Sequence, residues 1–135
     1  PLAKLPLVQV GPYHTNTKAG LELARTLLKK MGGEMKQIIL ITDGKPSALT
    51  LPSGEIYKNA WGLDPLILAE TLKEATLARR EGIPLHTFML AREPELLAFV
   101  KKLSQITRGK AYLTSPRNIG KYLLLDFLNK KVRRN

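Results

Sequence analysis

Few residues in this chain are placed to do chemistry, and Asp43 is the clearest. It follows the apolar run Ile38-Ile39-Leu40-Ile41-Thr42 and precedes Gly44. A continuous β-branched run of that length reads as a strand of a parallel sheet, covered on both faces. Ligands bind outside the carboxyl ends of such strands, so Asp43 is expected to project into a crevice; an aspartate at a strand end also serves as a turn former that bonds its own backbone. His14 and His86 are the only two histidines, and so the only near-neutral bases. His86 falls mid-strand, where a packed, hydrogen-bonded role is expected, whereas His14 stands beside Thr15 and either lines a site or is an exposed loop residue. The absence of cysteine removes disulfides, thiolate metal ligands and a thiol nucleophile. No Ser-His-Asp spacing stands out, paired carboxylates are scarce, and neither glycine-rich phosphate-binding motif occurs. A role without catalysis is therefore expected.

The elements that must position Asp43 follow from periodicity and punctuation. Residues 1–14, with Pro1, Pro6 and Pro12 around Leu7-Val8-Gln9-Val10, read as an N-terminal loop or edge segment. Residues 15–135 read as one α/β unit ending in a basic tail. Asn16 or Thr17 caps a helix over Lys18–Met31 with a stripe of Gly20, Ala24, Leu27 and Met31, flanked by Leu23 and Leu28, and Gly32-Gly33 stops it. The strand at 37–42 follows directly. Lys45 to Leu63 reads as a polar loop, with Trp61, the one tryptophan, either pinning it to the body, the favoured role, or reaching toward a partner. Asp64-Pro65 opens a helix carrying Leu68, Leu72, Ala75 and Ala78 to Gly82. Residues 83–90 form a second strand, less apolar than the first and so placed nearer the sheet edge. Glu93-Pro94 begins a helix with Leu96, Phe99, Val100, Leu103 and Ile106 inward and Gly109 at its end. Ala111–Thr114 forms a third strand, and Ser115-Pro116 caps a last helix to about Val132, with Ile119, Tyr122, Leu123 and Phe127 inward and Leu124 a further candidate. The alternation argues for a parallel sheet with helices on both faces. Three strands make a narrow sheet, and the most apolar one, 37–42, reads as central; further strands are expected to lie against it, and its exposed flank invites self-association or completion by a second copy.

The 22 Lys and Arg against 11 Asp and Glu give a net charge of +11, a surplus that attracts polyanions or an acidic protein. Much of it falls in pairs at helix ends, Lys29-Lys30, Arg79-Arg80 and Lys101-Lys102, where cations complement the helix dipole. The tail Lys130-Lys131-Val132-Arg133-Arg134 is the one true cluster. Nucleic-acid binding is the competing functional class, but aromatic residues are not interleaved with the basic ones and no reading motif is present. The apolar runs fall short of a membrane span, and with no cysteine a cytoplasmic location is expected.

Thr15-Asn16-Thr17 at a helix opening, followed by the strand ending Ile41-Thr42-Asp43-Gly44, resembles the second half of a von Willebrand factor type A (VWA) domain over roughly residues 12 to 128. The resemblance implies a three-layer, Rossmann-like α/β fold with its N-terminal strands lacking here. It also implies a metal-ion-dependent adhesion site for Mg2+ or Mn2+, with Thr15 as a hydroxyl ligand and Asp43 as a direct or water-mediated carboxylate ligand. Hard cations of this kind take oxygen donors and retain waters, leaving a position for an acidic group from a protein partner. The family's Asp-x-Ser-x-Ser loop is missing from this sequence, so the site is expected to be incomplete in this chain and its metal binding weak or absent. The strand at 85–90 with its helix, then Gly109-Lys110-Ala111-Tyr112, is similar to the last third of bacterial members that work with MoxR-type AAA+ ATPases or resemble the carbon-monoxide-dehydrogenase accessory protein CoxE. The function so implied is protein–protein interaction.

Overall fold

A computed structural model of the protein describes residues 14–33, 35–115, 117–118, 120–121 and 125. The expected N-terminal edge segment, the inward residues of the last helix and the basic tail lie outside the described residues. The elements run α1 (Thr17–Lys30), β1 (Ile38–Thr42), β2 (Ala48–Thr50), β3 (Ile56–Lys58), α2 (Pro65–Arg80), β4 (Leu85–Met89), α3 (Pro94–Thr107) and β5 (Ala111–Leu113). Three parallel strands form a sheet in the order β1-β4-β5, with Ile38 opposite Leu85, Ile41 opposite Phe88 and Phe88 opposite Tyr112. The parallel sheet alternating with helices is the α/β arrangement expected, although the three helices among the described residues share one face of it rather than both.

Strand alternation divides the sheet into two faces. Ile38, Leu85 and Met89 point into one core with Leu21, Ala75, Ala78, Leu96, Phe99, Val100 and Leu103, so α1, α2 and α3 build on that side, α2 packing against both of the others. Complete burial of residues such as Phe99 and Leu103 contributes about 1.5–3 kcal/mol each. The opposite face carries Ile39, Ile41, His86, Phe88 and Tyr112, with the Phe88 and Tyr112 rings stacked 4.9 Å apart. No helix among the described residues is long and apolar enough to cross a membrane.

Four expectations need correction. β4 is the central strand, paired on both sides and buried along its whole length, whereas β1 has a partner on one side only among the described residues. His86 misleads because its polarity is satisfied internally: the His86 Nδ1 accepts from the Lys110 N–H at 3.2 Å, beside the backbone bond from the Thr87 N–H to the Lys110 carbonyl. The segment 45–63 is not all loop, since β2 and β3 pair as an antiparallel hairpin closed by Leu51–Glu55, with Gly54 at φ 91°. In α1 the inward stripe is Leu21, Ala24 and Leu28, while Gly20 and Met31 face solvent. Gly109 does not supply the left-handed end of α3, which Arg108 provides at φ 55°. A Cβ at Gly109 would lie 1.7 Å from the Leu85 carbonyl oxygen, so glycine is required there by close backbone approach.

Ions clamp the layer that carries the site. Arg25 of α1 reaches α2, its Nε 2.6 Å from Glu74 and its Nη1 2.9 Å from Glu81, and Lys29 adds a second cation on Glu81. The hydrogen bond to Glu74 holds the guanidinium above its ordinary value, and Lys29 with Arg25 draws the Glu81 carboxyl below its own. Because Glu74 is buried, its pairing with Arg25 fixes α1 against α2 in one geometry.

Candidate functional site

Asp43 is exposed at the carboxyl end of β1. Thr42 shapes the turn beyond it: its hydroxyl donates to the Gly44 carbonyl at 2.7 Å and accepts from the Gly44 N–H, while its own carbonyl accepts from Leu90 at the end of β4. These bonds fix the backbone on either side of Asp43 and leave its carboxylate without a hydrogen bond among the described residues. The side chain therefore does not act as a turn former.

Thr15 arrives from the other direction. Asn16 caps α1, its Oδ1 accepting from the Ala19 N–H, and its amide nitrogen donates to the Thr50 hydroxyl in β2. Thr15 itself is laced to the start of the hairpin. Its N–H donates to the Ser47 Oγ at 3.0 Å, and its carbonyl accepts from the N–H groups of Ser47 and Ala48. The pairing brings Thr15 and Asp43 into the wall of one open cleft of about 340 Å3, lined also by His14, Gly44, Lys45, Ser47, Ala60 and Glu93. Lys45 forms an ion pair with Glu95 in the first turn of α3, which draws that helix's start toward the loop. The cleft thus lies at the carboxyl end of a parallel strand, where open α/β sheets bind ligands.

The donors suit a hard cation in kind. Hydroxyls of Thr15 and Ser47 and carboxylates of Asp43 and Glu93 are all oxygen ligands, the set that Mg2+ or Mn2+ accepts. In number they form only part of a shell: no group of three or more His, Asp or Glu side chains among the described residues is arranged to hold a metal. Thr15 and Asp43 would hold such an ion from one side, with waters or further protein ligands completing it. His14 lines the cleft, and its Nδ1 is buried without a hydrogen-bond partner among the described residues, so it is not an exposed loop residue.

A second aspartate nearby behaves differently. Asp64 caps α2, one oxygen accepting from the N–H groups of Leu66 and Ile67 and the other from the Tyr57 hydroxyl and the Asn59 amide. Those bonds, led by the one from Tyr57, pull its pKa from 3.8 to about 2, and they push the Tyr57 phenol upward. The cap was legible in Asp64-Pro65; the Tyr57 and Asn59 contributions were not, because they depend on the hairpin. Trp61 departs from the favoured, pinning role: it is 89% exposed.

A family model described as "Rv0959-like protein, vWA domain" matches residues 2–128. No curated protein and no solved structure matches the chain.

Proposed function

The chain belongs to the Rv0959-like vWA family, a type of protein-interaction module, and from that premise we propose that it binds a protein partner through a divalent cation, Mg2+ or Mn2+, without catalysing a reaction. One observation carries the reading: Thr15 and Asp43, from separate segments, line the same cleft at the carboxyl end of the sheet with side-chain oxygens that no other described residue occupies. Thr15 supplies a neutral hydroxyl and Asp43 one negative charge, so a bound dication keeps net positive charge and attracts a carboxylate from the partner. Thr42 and Ser47 keep the two donors at fixed positions while that carboxylate approaches. The partner is an acidic protein surface, and the likeness of 85–112 to bacterial members of the CoxE and MoxR-associated type points to an AAA+ ATPase system.

The test is Mn2+ titration followed by amide line broadening in nitrogen-labelled protein. Broadening is expected to centre on residues 14–16 and 43–47 and to vanish in Asp43→Ala. Broadening centred elsewhere, or identical in the variant, would overturn the reading.

A further inference from the structure

We propose that Trp61 is the anchor of the partner interface, receiving a bulky apolar side chain of the same acidic protein segment whose carboxylate enters the cleft. The inference rests on the cation-assisted reading above and adds what determines the partner's sequence around its acidic group.

Tryptophan is highly buried on average, and an 89% exposed indole is unusual for the chain's one tryptophan. Loop slack does not account for it. The Trp61 N–H donates to the Asn59 Oδ1 at 2.9 Å, and the Asn59 amide nitrogen in turn donates to Asp64 at 2.8 Å. The Asn59 N–H bonds the carbonyl of Ser47, whose Oγ holds Thr15. Gly62, at φ 63°, then turns the chain toward α2. The backbone that presents the indole is thus fastened both to the helix cap and to the floor of the cleft. A large, rigid side chain held out on a tied backbone loses little freedom on binding, the property that makes tryptophan prominent among interface hot spots.

Position and charge identify the occupant. Ala60 lines the cleft, and Trp61 follows it by a single residue, so the backbone that carries the indole stands at the rim. At about 3.3 Å per residue, one extended strand of partner would carry its apolar residue and its carboxylate a few positions apart. Lys58, two residues before the wall residue Ala60, and Arg92, beside Glu93, are exposed and make no ion pair among the described residues. With a net charge of +11, they favour an acidic segment.

The experiment selects a randomised peptide library displayed on phage against the whole chain in MgCl2. Selected peptides are expected to carry Asp or Glu a few positions from Leu, Ile or Phe, and to shift the emission of the single tryptophan to shorter wavelength on binding. By calorimetry, Trp61→Ser should weaken them by about tenfold or more while the acidic residue is still required. Equal affinity for Trp61→Ser, or selection that yields no acidic-apolar sequences, overturns the proposal. Weakening by Trp61→Ser that is indifferent to Asp43→Ala and to Mg2+ chelation leaves the anchor standing and removes the cation. An emission shift given by oligothymidylate and not by the peptides assigns the indole to nucleic acid, and the proposal falls.

Discussion

The two ends of the parallel sheet are built on different rules. At the amino ends of the strands, the Ile38 N–H bonds the Pro84 carbonyl, the Thr87 N–H bonds Lys110, the Lys110 N–H bonds His86, and the Gly109 backbone lies against Leu85. At the carboxyl end of β1, the backbone is equally well held by Thr42 and Ser47, yet Asp43 and the Thr15 hydroxyl are left without hydrogen bonds among the described residues. Satisfied polar groups raise stability, and unsatisfied ones at a rigid site are available to a ligand. The difference shows one end of the fold serving as the frame on which the other is displayed.

Three substitutions break or sharpen that contrast. The largest effect is expected at the frame: Gly109→Ala places a methyl group into the Leu85 carbonyl and should cost about 3 kcal/mol, read as a lower urea midpoint with retained helical signal until unfolding. Asp64→Ala removes all four accepted hydrogen bonds and should lower the Tm by several degrees near neutral pH. Because the folded pKa of about 2 lies below the ordinary 3.8, that stabilisation is complete above 3.8 and lost as pH falls toward 2. The Tm values of wild type and variant should therefore converge in acid, as melting curves across that range would record. The smallest effect belongs to the open end: Asp43→Ala should change stability by no more than about 0.5 kcal/mol. A larger loss in denaturant titration would mean that Asp43 belongs to the frame.

Much of the architecture was legible because local signals agreed with it. The run Ile38–Thr42 is the unbroken apolar segment of a covered strand, the stripe Leu96, Phe99, Val100 and Leu103 shows the helical period, and Asn16 and Asp64 are caps by residue type alone. What was not legible depended on partners distant in sequence. His86 and Thr87 make β4 look peripheral, and the bond from the Lys110 N–H that lets the His86 ring be buried joins residues 24 apart in sequence. The three-residue strands β2 and β3 are too short to carry a period, and Pro52, Ser53 and Gly54 between them read as loop. The face of α1 was misassigned because Leu21, Leu23, Leu27 and Leu28 ring that helix, and only packing on α2 and β1 chooses among them. Placement of Thr15 and Asp43 in one cleft followed from the resemblance and was not visible in composition or spacing. Glu93 and Ser47 carried no signal that would have joined them to it.

The lacing of Thr15 to the hairpin has one more result. With its N–H given to Ser47 and its carbonyl shared by Ser47 and Ala48, the residue's main chain has nothing left to offer a visitor, which meets Thr15 through a lone hydroxyl. Replacing threonine by valine is then an edit of a single heavy atom at nearly constant shape, and serine restores that oxygen while discarding only a methyl group.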